Sequence, residues 1–400
     1  MPKLLQINSV VNTGSTGRIA EQLGEFAISQ GWDSYIAYGR EARESKSYLI
    51  QIGGKLSVYI HAIGTMLTDR HGLFSLCATK KFLKQLDEIK PDVVHLHNIH
   101  GYYINYLMLL NYLHKKNIPT VITMHDFWLM TGHCAYINKS CDKWKIGCGK
   151  CPRLHQYPAA KVDHSGRNWI TKLEALSRMG NIVLVPVSNW LDGFVKESLL
   201  QGVKSHVIYN GIDTNVFKPY DAKTAVEGVD WNKFTIMSIA TRWTDANGYD
   251  DVIKLSTLLS EDAQIIMVGL DDEQMQNIPA NVIGFKKTES FEQLKELYSK
   301  SDVIFNPNAE VTFGLVTAEA MACGTPVIVL EDTAGEEIVD VETGYVVTSV
   351  DEVPALISTI KANKSVETSA KCRERVIEQF NSKKQNQKYF DLYKELARIK

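Results

Sequence analysis

The chain has 400 residues, 44% of them hydrophobic and 22% charged, with 44 Lys and Arg against 46 Asp and Glu and a net charge of −2. That length gives core enough for two or three domains, and the near-neutral balance gives no general pull toward nucleic acid. No run of eighteen apolar residues is present, and LLQINSVV after Lys3 reads as a buried strand too short for a signal peptide, so a cytoplasmic protein is expected.

In chain order, residues 3–11 read as a strand and 17–30 as a helix, followed by strands over 33–39, 92–97, 120–125 and 182–188. Helical spacing falls between them at 56–67, 79–89 and 106–115. NGIDTNVFKPYD (210–221) carries Gly, Asn, Asp and Pro and reads as a hinge. The second half repeats the scheme, with strands at 233–241, 263–269, 281–285, 302–307 and 326–330 and helices at 250–259, 291–299 and 316–323. Short apolar runs alternating with helices imply parallel sheets covered on both faces, hence two doubly wound α/β halves. Ligands in such sheets bind beyond the carboxyl ends of the strands, so one cleft is expected between two facing halves.

Chemistry-bearing residues gather at those strand ends. The first turn, Asn12-Thr13-Gly14-Ser15-Thr16-Gly17-Arg18, carries two glycines; a tight turn needs one, and a phosphate cradle suits both. His95, His97, Asn98 and His100 leave the strand 92–97, with His95 and His97 on one face. They are read as hydrogen-bond partners for a ligand, or as filling of the core. His125 ends the strand 120–125, where a functional role is favoured over that of a satisfied core histidine. Arg242 follows the first strand of the second half. In 306–329, NPNAEVTFGLVTAEAMACGTPVIV, Gly314 frees a strand-to-helix turn so that helix amides face an anion, and Glu319 sits one helical turn past Leu315. A carboxylate beside an anion-binding helix start suits a nucleotide with its ribose; the plain alternative is an ordinary βαβ unit with a surface Glu.

Four of the seven cysteines, Cys134, Cys141, Cys148 and Cys151, lie in an insertion over 133–153. The last pair has the spacing of a zinc knuckle, so a structural zinc and free thiols stand level, with disulfides behind both. Four thiols would saturate an ion, which leaves no open position for catalysis by it. The loop's Lys139, Lys143, Trp144, Lys145, Lys150 and Arg153 are read by default as a solvated insertion, with a peripheral contact to anionic lipid headgroups or a polyprenyl-linked acceptor as the alternative.

The segment 306–329 resembles the donor-binding block of retaining glycosyltransferase family 4, the GT-B enzymes that use nucleotide sugars. Phe313, Gly314, Leu315, Glu319, Ala320, Met321, Ala322, Gly324, Pro326 and Val327 fall on the family's pattern. Pro186-Val187-Ser188 and Asn210-Gly211-Ile212-Asp213 through Pro219 extend the likeness over most of the chain.

Two positions depart. The family's first Glu falls on Val311, with Glu310 one residue earlier, and its Lys beside the diphosphate falls on Asn247, before Gly248. The resemblance implies GT-B architecture: an acceptor domain 1–213, a nucleotide-sugar domain 214–378, and a helix over 379–400 that returns to the first domain and packs Phe390, Tyr393, Leu396 and Ala397. It also implies a retaining hexosyl transfer from a UDP- or GDP-sugar to a saccharide or polyprenyl-linked saccharide, with no metal or other cofactor in catalysis. His125, Glu310 and Arg242 would be catalytic. Gly14, Gly17, Asn247, Phe313, Gly314, Leu315, Val316 and Glu319 would bind the donor, and His97, Asn98 and His100 the acceptor. Asn247 and the displaced Glu310 keep open a weak or inactive relative acting as a partner protein, and the fold keeps open a nucleotide-sugar epimerase. A Rossmann dehydrogenase is disfavoured, because Gly14 and Gly17 do not complete its three-glycine fingerprint.

Overall fold

The computed structural model describes residues 1–137, 141–220 and 226–399. The chain divides into two compact units, Met1–Tyr209 with Lys383–Lys400, and Asn210–Ser382.

The first unit runs β1 (Lys3–Asn8), α1 (Gly14–Ser29), β2 (Asp33–Tyr38), β3 (Tyr48–Gln51), α2 (Lys55–Thr68), α3 (Leu76–Ile89), β4 (Val93–Leu96), α4 (Tyr106–Lys116), β5 (Thr120–Met124), α5 (Lys143–Ile146), α6 (Ser165–Ser177), β6 (Ile182–Pro186) and α7 (Asn189–Glu197). Its sheet has the order β3-β2-β1-β4-β5-β6 with every pair parallel. β4, β5 and β6 are buried throughout, as continuous apolar runs covered on both faces should be. Side-chain caps set some helix starts: Asn105 accepts from the Met108 amide at 2.9 Å, and Ser188 from the Leu191 amide at 3.0 Å.

The second unit runs β7 (Phe234–Ile239), α8 (Tyr249–Leu258), β8 (Ala263–Val268), α9 (Asp272–Asn277), β9 (Val282–Phe285), α10 (Phe291–Lys300), β10 (Val303–Asn306), α11 (Leu315–Ala322), β11 (Val327–Leu330), β12 (Gly344–Val347), α12 (Val353–Asn363) and α13 (Val366–Gln379). Its parallel sheet has the order β12-β11-β10-β7-β8-β9. Both sheets reverse direction once, between β1 and β4 and between β7 and β10. Those two switch points are where an open α/β sheet leaves a crevice.

The last helix, α14 (Ser382–Ala397), belongs to the first core. Phe390 packs on Phe26 and Trp32 at ring separations of 5.9 and 5.2 Å, and Tyr389, Leu392 and Tyr393 are buried beside it, with Leu396 and Ala397 at the margin. The departing and returning segments are paired: the Ile212 amide donates to Phe380 O and the Ser382 amide to Ile212 O.

The observed divisions therefore fall at Tyr209/Asn210 and Ser382/Lys383, a few residues from the expected 213 and 379. Asp221, at the end of the expected hinge, lies outside the described residues. α1 begins at Gly14, three residues before the sequence reading. β3 and β12, which escape that reading, are short strands exposed or half-exposed over most of their length, at the edges of their sheets.

Candidate active site

In the second unit the named residues collect at the β7–β10 switch point. Gly314 caps α11 with φ +97°, a backbone that an L side chain resists, and no side-chain cap takes the first-turn amides. An added Cβ would stand 3.3 Å from both Ile338 and Thr317, so the turn is closely packed as well as left-handed. Phe313 is buried with its ring against Phe380 at 5.7 Å, which leaves its backbone as the part that faces the turn. Leu315 and Val316 are half-buried in the first turn.

Glu319, 7% exposed, accepts at Oε2 from the hydroxyl of buried Tyr298 at 3.2 Å, which fixes its side chain. Glu310 is half-buried in the loop before the helix, its amide donating to Asn308 Oδ1 at 2.9 Å. Asn306, at the end of β10, donates to Thr317 Oγ1 at 3.0 Å and so ties strand end to helix. The sequence reading missed it, although an Asn closing an apolar strand was there to be seen.

The loop after β7 lies alongside. Gly248 has φ +88°, and an added Cβ would strike Pro307 at 2.5 Å, so this loop presses on the end of β10. Arg242 is exposed there. Asn247 is committed to the loop: its Oδ1 accepts from the Thr244 amide at 2.8 Å and its Nδ2 donates to Arg242 O at 2.7 Å. These contacts form part of a reciprocal cap on a single 3-10 turn over Asp245–Asn247. Expected as a donor ligand, Asn247 shapes the backbone that carries Arg242.

In the first unit the β1–β4 switch point gathers the two glycines and the histidines. Gly14 is exposed with φ +61° and open space around it; Gly17 is buried, an added Cβ meeting Val10 and Asn12 at 3.1–3.2 Å. Only Gly14 is thus open to a ligand, and Gly17 serves close packing. Asn98 is half-buried, its amide 3.4 Å from Asn8 Oδ1.

The histidines form a chain of fixed tautomers. Gln6 Nε2 donates to Ala20 O at 2.7 Å, so its Oε1 is the atom facing His97 Nε2 at 3.1 Å and must accept. His97, kept neutral by burial first and then by His95 and His125, presents an unprotonated Nδ1. That nitrogen accepts from His125 Nε2 at 3.1 Å, which makes Nδ1 the lone-pair nitrogen of His125. Burial outweighs neighbouring Asp126 and holds His125 at about 4, so the ring is neutral near pH 7. His97 is only 2% exposed. Expected on an acceptor, it is enclosed between Gln6 and His125, held directly after β4 by its amide donating to Ile7 O at 2.9 Å.

His95 lies deeper, bonded to Tyr393 of α14 at 2.6 Å and to Thr123 at 2.7 Å. His100 donates from Nε2 to Asp126 Oδ2 at 2.7 Å, and its Nδ1 is 3.2 Å from the Tyr157 hydroxyl. Gln6, Asp126 and Tyr157 are the members of this site that the sequence reading missed. A polar Gln6 inside an apolar strand was the one available signal.

The four clustered cysteines line one small cavity of about 20 Å³. Cys134 and Cys151 approach to 3.8 Å, while Cys148 Sγ accepts from the Gly132 amide at 3.2 Å. Among the described residues no three His, Cys, Asp or Glu side chains are arranged to hold a metal ion, so of the two level readings the four-thiolate zinc site is not assembled and the thiols are free. Among the same residues no helix is long and apolar enough to cross a membrane. Lys139 of the basic loop lies outside them.

Known proteins match this architecture over its full length. Sucrose-phosphate synthase of Thermosynechococcus elongatus superposes with a TM-score of 0.71 at 16% identity, covering 100% of both chains. Anabaena Alr3699/HepE, solved in complex with UDP-glucose, gives 0.65 at 13% over 98% and 99%. WaaG, a glycosyltransferase involved in lipopolysaccharide biosynthesis, gives 0.66 at 14% over 98% and 99%. Such likenesses identify the fold as GT-B. In sequence, the chain is 25% identical over 380 residues, 90% of each chain, to an Escherichia coli (strain K12) protein named for colanic acid biosynthesis, the glycosyl transferase WcaC. Residues 233–362 match the family described as Glycosyl transferases group 1, and residues 16–216, half of the chain, match Glycosyltransferase Family 4. The chain belongs to glycosyltransferase family 4.

Proposed function

We propose that this glycosyltransferase moves a hexose, with retention of its anomeric configuration and without a metal, from a UDP- or GDP-sugar to a saccharide or polyprenyl-linked saccharide of a surface polysaccharide. The observation that carries the reading is the uncapped start of α11 at Gly314 with the Tyr298-fixed carboxylate of Glu319 one turn on. Amides and helix dipole suit a diphosphate, and an oriented carboxylate suits a ribose diol. UDP-glucose bound to HepE and the colanic acid role in the WcaC name support a nucleotide sugar and a polysaccharide.

In this reading Arg242 and the amides over Phe313–Val316, at the start of α11, stabilise charge on the departing diphosphate. Glu310 accepts from hydroxyls of the transferred sugar. His125 accepts a sugar hydroxyl at Nδ1, and Gly14 turns backbone amides toward the donor. Asn98, with His100 held by Asp126, meets the acceptor. The acceptor hydroxyl attacks from the side the diphosphate leaves, and the diphosphate takes its proton. Orientation and electrostatics then supply most of the acceleration.

A panel of UDP-, GDP- and ADP-sugars tests the donor by thermal stabilisation, since a ligand of the folded form alone raises the melting point. Product NMR reads the anomeric configuration; an inverted product refutes retention. One observation favours a second reading, a weakly active partner protein: the cation expected beside the diphosphate is replaced by an Asn that serves the loop. Donor binding without turnover on any acceptor would decide for it. A changed sugar nucleotide released from donor alone would instead mark an epimerase.

A further inference from the structure

Where β10 and β11 begin, at the end of the second sheet opposite the Gly314 turn, two cavities of about 410 and 400 Å³ adjoin. Pro326, Tyr345, Asn363, Ser365 and Thr368 line both, so the two form one groove. Its walls are the residues just before β10 and β11, the start of β12, and the link between α12 and α13. Strands of four residues separate it from the donor turn, about 13 Å of backbone. Each cavity is of the size that holds a small molecule.

The lining selects the ligand. Asp302 pairs with Lys364 at 2.5 Å, and Lys371 with Glu342 at 2.8 Å and Glu367 at 3.0 Å, so each charged side chain of the groove already faces an opposite one. The hydroxyls of Tyr345 and Ser369 and the side-chain amide of Asn363 have no partner among the described residues. All three can both donate and accept. Apolar surface stands beside them: Pro326, the Tyr345 ring, and one valine in each cavity, Val366 and Val341, 88% and 98% exposed. Neutral groups that donate and accept, next to apolar surface, match a sugar ring with hydroxyls at its edge and C–H groups on its faces. A nucleotide would find no unpaired cation here for its phosphates.

We infer that this groove is a second saccharide site, which holds a neutral part of the glycan away from the donor turn. The choice of a glycan rests on the transferase reading above; the place of the site does not. The full chain, labelled at its valine methyl groups, is titrated by NMR with maltose, cellobiose and lactose, and separately with UDP. The signals of Val341, Val366 and Val316 are each assigned by the alanine variant. At least one neutral disaccharide is expected to move Val341 and Val366 and leave Val316 in place, and UDP to do the reverse. Asn363→Ala with Tyr345→Phe removes two hydrogen-bonding groups and should weaken the disaccharide about 10-fold, with UDP affinity and melting temperature unchanged. Lactobionate, of the same size but carrying a carboxylate, should bind more weakly than lactose. No movement of Val341 and Val366 with any of the three sugars, equal affinity in the double variant, or tighter binding of lactobionate would overturn the site. If the disaccharide moves Val341 and Val366 but UDP leaves Val316 unmoved, the donor assignment falls and the groove stands.

Discussion

Oε1 of Gln6, on β1, stands 3.1 Å from Nε2 of His97, just after β4, and that one contact sets the protonation pattern of a third residue, His125 after β5. Because Gln6 can only accept there, His97 can only accept from His125, and Nδ1 of His125 keeps its lone pair. His125→Ala should lower kcat by roughly 100-fold through loss of an oriented contact to the reacting sugar. Gln6→Leu leaves His125 in place but frees the tautomer. A fall in kcat of about 10-fold with donor KM unchanged is expected. Steady-state kinetics on the two variants check this; full activity in Gln6→Leu would remove the relay.

Glu319 and Tyr298 make a parallel pair in the second unit. Glu319→Gln weakens acceptance from a ribose diol equally in ground and transition states, so donor KM should rise by about 10-fold with kcat little changed. Tyr298→Phe leaves the carboxylate intact but unfastened, and a smaller rise, about 3-fold, is expected. Calorimetric titration with UDP measures the same losses without an acceptor. Equal UDP affinity in wild type and Glu319→Gln would remove Glu319 from the donor site.

What the sequence makes legible here follows from how local each feature is. Gly314 and Glu319 are readable because a glycine at a strand-to-helix turn and a carboxylate one helical turn on are set by spacing alone. The Gln6–His97–His125 chain is not, because it crosses three strands and exists only in their register, which pairs Gln6 with His95 and places His97 beyond it. Asn247 was readable only as a missing charge, since its loop contacts depend on how the backbone closes. The helical spacing over 56–67 gives a helix but not its buried side. Periodicity is blind to the His61–Gly72 contact that turns the polar face of α2 inward.

Asn247→Lys tests whether that missing charge matters. A lysine supplies the cation but neither the acceptor for the Thr244 amide nor the donor to Arg242 O. The loss of a reciprocal cap costs about 1 kcal/mol and slackens the backbone that carries Arg242. Turnover should therefore not rise, and the melting temperature should fall by a few degrees. Arg242→Ala, by contrast, should lower kcat by about 100-fold with the melting temperature unchanged, because that side chain is exposed. A gain in kcat for Asn247→Lys would show that charge outweighs loop geometry.

Buried neutral histidines should make the first unit acid-labile. His61 and His125 are each held at about 4 against an ordinary 6.5, in both cases chiefly by burial, and His71, His95 and His97 are lowered as well. A depressed folded-state value means that the unfolded chain binds protons first. Stability is then complete above about 6.5 and is lost as the pH falls toward about 4. His61 illustrates the cause: its Nε2 accepts from the Gly72 amide, and a proton there abolishes the contact that seats α2. His61 and His125 alone put two protons into unfolding, a slope of about 2–3 kcal/mol per pH unit midway through that window. Urea unfolding at steps between pH 7 and 5 measures it. His61→Gln retains an acceptor for Gly72 and does not titrate, so its slope should be smaller by about one proton. An unchanged slope in that variant would mean that His61 is already protonated in the folded protein.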